Sequence, residues 1–167
     1  MKKLLLYLCF IPFCLASTCD DDEDPTANAN DGNRISAMVD GQSVSLTNDN
    51  VRGSRADLQQ GDQSTPFLYV RAEGETNPHV FDLAIFDQST GTQELIESGN
   101  SHLRYEYIEP GTGLVTAYGT TSDDPGTLNI TTLTNNRVAG TFSGTLTNFN
   151  GGKVTITQGS FDVRIPD

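Results

Sequence analysis

Val138-Ala139-Gly140-Thr141-Phe142-Ser143-Gly144-Thr145-Leu146 alternates without a break. Val138, Gly140, Phe142, Gly144 and Leu146 make one face; Ala139, Thr141, Ser143, Thr145 and Thr147 make the other. Successive side chains of a strand point to opposite faces, so this reads as a half-buried strand with the first set inward. Gly140 and Gly144 flank Phe142 and leave room for a large side chain of a neighbouring strand to cross, as in a tightly curved sheet. An Asn150-Gly151-Gly152 turn follows, then a second strand over 153–165. Its apolar positions change parity: Val154 and Ile156 are even, Phe161, Val163 and Ile165 odd. A one-residue slip turns every later side chain over, so a bulge at Gly159, within Gln158-Gly159-Ser160, is expected to keep both Val154 and Phe161 buried.

The same grammar extends outward. Strands are predicted at 35–39 and 43–47, around the hairpin signal Asp40-Gly41, and at 51–58, 67–73, 79–87, 93–97, 103–109, 114–120 and 127–134. Thr65-Pro66, Asn77-Pro78, Ser89-Thr90-Gly91, Pro110-Gly111, Asp124-Pro125-Gly126 and Asn135-Asn136 read as breakers between them. No window sustains a 3.6-residue apolar period, and the best helix candidates, 55–60 and 92–97, are short. The fold class is therefore all-β: a single antiparallel β-sandwich or β-barrel-like meander with short turns, over residues 34–167. The 79–87 strand is nearly continuous in apolar residues, which points to a central position or cover on both faces. Asp82 interrupts it and reads as an edge or rim carboxylate.

The 167 residues hold 10 Lys and Arg against 22 Asp and Glu, a formal net charge of −12. That balance argues against a nucleic-acid partner, because phosphate binding needs clustered bases. The three Cys sit at 9, 14 and 19. The body therefore has no disulfide framework, Cys zinc site or Cys nucleophile.

The N-terminus reads as an address. Lys2-Lys3 is a short basic region, and 4–15 (LLLYLCFIPFCL) is an apolar run closed by small residues. Twelve residues rise about 18 Å as a helix, against a hydrocarbon core of roughly 30 Å. Residues 1–18 are thus expected to be a signal peptide. Leu15-Ala16-Ser17-Thr18-Cys19 resembles a bacterial lipobox, with Ala16 and Thr18 where a large aliphatic residue and a Gly or Ala are commoner. The resemblance implies a lipidated Cys19. Asp20-Asp21-Asp22-Glu23-Asp24 directly after it resembles the acidic export signal of Bacteroidota lipoproteins, which implies display on the outer face of the outer membrane. An EF-hand reading of this run fails, since position six would be Pro25 and position twelve Asp31. Residues 19–33 are expected to be the lipidated Cys and an acidic, disordered tether. The body from residue 34 then keeps 16 acids and 8 bases, a net −8.

Ile35-Ser36-Ala37-Met38-Val39-Asp40-Gly41 together with Val138–Gly144 and Val154–Val163 resembles the first turn and last hairpin of an uncharacterised Bacteroidota lipoprotein family, domain of unknown function 6252. The resemblance implies an all-β fold and a surface location. It implies no catalytic residue.

Chemistry is sparse. His79 and His102 lie outside any short ligand-spaced motif, so no metal is expected even with Asp82 or Glu106 nearby. No G-x-S-x-G elbow exists for a Ser-His-Asp triad. Glu106 and Glu109 fall on opposite faces of a regular strand, and Asp123-Asp124 belong to a turn. Tyr69, Tyr105, Tyr107 and Tyr118 could form a sugar platform, with Tyr105 and Tyr107 on one face, though a core ladder has the same spacing. No catalytic residue, metal or cofactor is expected. The reading is a surface-exposed outer-membrane lipoprotein, anchored through Cys19, with a non-catalytic binding or envelope role toward an extracellular small molecule, glycan or protein. Its alternatives are a carrier with an apolar barrel cavity and a cryptic carboxylate hydrolase.

Overall fold

The computed structural model describes residues 32–97 and 101–166, and every long element in it is a strand. The eleven are β1 (Arg34–Val39), β2 (Gln42–Thr47), β3 (Val51–Gln60), β4 (Gln63–Glu73), β5 (His79–Ile85), β6 (Gly91–Leu95), β7 (His102–Ile108), β8 (Val115–Gly119), β9 (Gly126–Leu133), β10 (Arg137–Thr147) and β11 (Lys153–Arg164). A single 3-10 turn, Asn48–Asn50, links β2 to β3. The expected signal segment 1–18, Cys19 and the Asp20–Asp24 run lie outside the described residues. No described helix is long and apolar enough to cross a membrane.

All pairings are antiparallel, in the order β2-β1-β11-β10-β8-β7-β5-β4-β3, with β9 and β6 branching from β10. The sheet curls into a half-barrel. β10 is the fork. Residues 138–143 pair with β9, whereas β8 meets β10 only at Thr147↔Gly119. One arm is then β6-β9-β10-β11-β1-β2 and the other β8-β7-β5-β4-β3.

The arms enclose one core. Phe81 lies 6.2 Å from Phe142 across it, Phe142 6.3 Å from Phe161, and Phe81 5.4 Å from Tyr105. Leu68, Leu83, Leu103, Leu128, Leu146 and Ile156 are fully buried around them. Burial of each such side chain contributes about 1.5–3 kcal/mol. The edge strand β3 folds back onto the C-terminal end of β11, where a Cβ on Gly53 would lie 2.7 Å from Arg164 O. Asn33 pins this contact. Its Nδ2 donates to Val51 O at 2.8 Å, and its Oδ1 accepts the Arg164 N–H at 2.8 Å.

β10 has the expected faces: Val138, Gly140, Phe142 and Leu146 are buried, and Thr141 is exposed. At Gly140 it is backbone that crosses, since a Cβ would collide with Asn129 O of β9. The parity change in β11 is also present, and Val154 and Phe161 are both buried. Phe142↔Gly159 is followed by Gly144↔Ile156, so β11 carries one extra residue against β10, and the same slip appears against β1. The strain sits one place before the expected bulge residue, at Gln158, with φ +52. Gly159 beside it packs on Phe142, where a Cβ would press on the ring.

Three local expectations change. Thr65-Pro66 does not break a strand; β4 runs through it, with Pro66 opposite Asp57. β5 pairs with β4 only from Leu68 onward, so Pro66 lies in an edge stretch, where a missing donor is tolerated. The helix candidates 55–60 and 92–97 fall in β3 and β6. Asp82 is not at an edge: β5 lies between β4 and β7, and Asp82 is 8% exposed.

Candidate functional site

The carboxylates come first, because they carry most hydrolytic chemistry in a chain without a nucleophile motif. Two of those described are buried. Arg71 Nη1 donates to both carboxylate oxygens of Asp82 at 2.8 Å, and Tyr69 Oη donates to the same carboxylate at 2.5 Å. Asp162 accepts from Arg137 Nε at 2.7 Å and Nη2 at 2.6 Å, with Arg34 Nη2 at 3.7 Å. Each lies on the outer face of its arm, since its chain neighbours, Phe81 and Leu83 or Phe161 and Val163, face the core. The two therefore point away from each other, each filled by arginine. Glu106 is tied to Arg104 at 2.6 Å. Among the described residues no group of three His, Cys, Asp or Glu could hold a metal ion.

The two histidines are separated as well. His79 Nδ1 lies 2.6 Å from Tyr105 Oη, and its ring stacks on Tyr105 and leans on Tyr107. Burial pushes the His79 imidazole below its ordinary value. Burial, then the neighbouring Tyr107, Tyr118 and Asp40, push the Tyr105 phenol up to about 12. His102 is on the opposite face of β7, 6.3 Å from the Phe86 ring. The tyrosines do not form one platform. Tyr105 is core, Tyr118 packs against the core, Tyr107 is partly exposed, and Tyr69 is on the outer face holding Asp82.

What the fold does build is a cleft at the fork. β8 departs from β10 beyond Thr147↔Gly119, leaving an open space of about 410 Å³. Its floor is made of small residues, Ala117 and Gly119 from β8 and Thr120, Thr121 and Thr147 beside them. A Cβ on Gly119 would have nothing within 4 Å. His102 and Arg104 of β7, Asn148 and Phe149 of the β10–β11 turn, and Glu97 also line it. Thr120 is fixed in place: its Oγ1 accepts the Leu103 N–H at 3.2 Å. Thr147 Oγ1 is buried with no hydrogen-bond partner, an unused polar group in the lining of the cleft. Such groups are rare in native proteins.

The cleft lining is mostly polar, with Phe149 as its exposed apolar side chain. The exposed large hydrophobic side chains of the described residues are Tyr107, Leu114, Val115 and Phe149, with Phe149 fully exposed. The first three belong to the β7–β8 hairpin. β8 runs antiparallel to β10, so the β10–β11 turn extends toward the Val115 end of β8. The turn does not need its Phe: Asn148 Oδ1 accepts the N–H groups of Asn150 and Gly152, and Gly151 takes φ +79. Val115 shares the face of Ala117 and Gly119, which line the cleft, whereas Tyr107 and Leu114 lie on the opposite face of the hairpin.

Sequence reasoning singled out His102 and Tyr118 of the cleft and the nearby Tyr107, as metal or sugar-platform candidates, but not Leu114, Val115 or Phe149. An apolar residue inside a strand reads as core, which hid Leu114 and Val115. The one available signal was Phe149 lodged in turn chemistry between Asn148 and Asn150-Gly151-Gly152. No family model, curated protein or solved structure matches the chain.

Proposed function

We propose that the chain is a surface-exposed outer-membrane lipoprotein, anchored through Cys19 behind the Asp20–Asp24 export run, that acts by binding and not by catalysis. The observation that supports binding is the open fork between β8 and the β10–β11 turn, where Val115 and Phe149 are exposed apolar side chains. The likeness to domain of unknown function 6252 agrees with the location. Phe81, Tyr105, Phe142 and Phe161 occupy the space between the arms that a carried apolar molecule would need, which weighs against a barrel carrier. The outward-facing, arginine-filled Asp82 and Asp162 weigh against a carboxylate hydrolase, whose two groups must face one substrate.

Two acyl chains on one Cys give stable anchoring where one is marginal. Cell fractionation tests the anchor. The wild-type chain is expected with outer membranes and open to protease added to whole cells, and Cys19→Ala is expected in the soluble fraction. Retention of Cys19→Ala in the membrane contradicts the anchor.

A further inference from the structure

We propose that β8 accepts an extended polypeptide segment as an added strand in the fork cleft, a segment with uncharged apolar side chains at alternate positions. This rests on the surface-binding reading and specifies its partner.

The backbone carries the argument. The Thr120 N–H donates to Leu103 O at 3.0 Å, and the Glu109 N–H to Leu114 O at 2.8 Å. In an antiparallel pair, hydrogen-bonded positions alternate with non-bonded ones. Leu114, Thr116, Tyr118 and Thr120 therefore direct their backbone groups to β7, and Val115, Ala117 and Gly119 direct theirs away from it. Gly119 meets β10 at Thr147. Among the described residues Val115 and Ala117 have no ladder on that side, so two N–H and two C=O groups lie at strand spacing along a free edge that enters the cleft at Ala117.

Nothing blunts this edge. Edge strands are usually guarded by charge, proline or a bulge. Val115-Thr116-Ala117-Tyr118 carries none of these, whereas β3 carries Arg52, Arg55 and Asp57 and β6 carries Glu94. β2 is uncharged too, but its Val44 and Leu46 are buried and offer a partner no grip. Beside β8 the grip is present, with Val115 55% exposed and Phe149 fully so. Main-chain bonds would supply affinity, and contacts with these side chains would select apolar residues at every second position. The occupant is a lone segment and not the sheet edge of a second copy, because the open stretch of β8 is short and ends where Gly119 meets Thr147.

The test uses the full-length chain in detergent and capped peptides of alternating Val and Thr flanked by Lys. Peptide binding is expected to shift the Val115 and Ala117 amide signals and slow their hydrogen exchange at least tenfold. N-methylation at alternate peptide residues is expected to weaken binding at least tenfold in one parity and little in the other. Ala117→Pro, which removes a donor that β7 does not use, is expected to abolish binding; the methylated peptides carry the test if that variant does not fold. Equal binding by both methylated series overturns strand addition. So does failure of a panel with Leu, Ile or Phe in place of Val to protect either amide. A soluble polysaccharide that shifts Thr147 and Phe149 while both amides keep exchanging overturns strand addition but leaves surface binding standing. Membrane retention of Cys19→Ala instead removes the surface-anchor reading beneath it.

Discussion

The two halves of β10 show how one strand can close a sheet and open it. Along 138–143 it is sealed to β9, and the seal is tight enough that Gly140 has no room for a methyl group against Asn129. At Thr147 it meets β8 through one residue pair, and Gly119 there faces empty space. Both contacts involve glycine, with opposite meanings. Gly140 is glycine because backbone approaches backbone; Gly119 is glycine in the floor of a cleft. Packing is tight on one side of the fork and open on the other, where Val115 and Phe149 are exposed.

The sharpest way to break this comparison is to add one methyl group to each glycine. Gly140→Ala is expected to cost more than about 3 kcal/mol, because the clash is with backbone that cannot rotate away. Gly119→Ala is expected to stay within about 0.5 kcal/mol of wild type. Urea unfolding of the two variants measures both, and equal losses would erase the distinction. Asp162→Ala, beside the sealed half, is expected to cost about 3 kcal/mol. Nearly all of this comes from stranding Arg137, since Arg34 is half exposed and 3.7 Å away.

A pH titration of the buried face of the β7–β8 hairpin is set against a substitution on the open face of the fork, in the β10–β11 turn. On the buried face, the folded chain holds the Tyr105 proton until about pH 12, while an unfolded tyrosine releases it near 10. The unfolded chain therefore binds fewer protons in that window. Tyr105 leaves stability unchanged below pH 10 and erodes it between 10 and 12, by up to about 1.4 kcal/mol per pH unit. His79 acts at the other end. Its lowered value means that the unfolded chain takes up a proton first, so stability falls as pH drops below about 6.5. Tyr105→Phe is expected to flatten the alkaline limb. The smallest effect belongs to the open face: Phe149→Ser is expected to leave stability within about 0.5 kcal/mol while weakening peptide binding.

Local pattern makes much of the fold legible in the amino-acid sequence. The alternation in β10 and the parity change in β11 point to the inward faces and the extra residue, because side-chain direction has a period of two. Turn chemistry at Asp40-Gly41 and Asn150-Gly151 marks hairpins that the structure contains. What cannot be read is long-range. β11 lies between β1 and β10, and the sequence of β1 says nothing about a partner more than a hundred residues away. Pro66 reads as a breaker until β5 is seen to end short of it. Asp82 reads as a rim residue because its counterion, Arg71, arrives from the next strand. The fork is the extreme case, for it is defined by pairs that fail to form, and Val115 in isolation looks like any core valine.

Amide hydrogen exchange along β8 in the free protein tests the fork most directly. The account predicts alternation: the amides of Val115 and Ala117, which lie along the free edge, exchange rapidly, and those of Thr116 and Tyr118, bonded to β7, are protected. Uniform protection of all four would mean that β8 is paired on both sides, and would contradict both the open edge and the added strand.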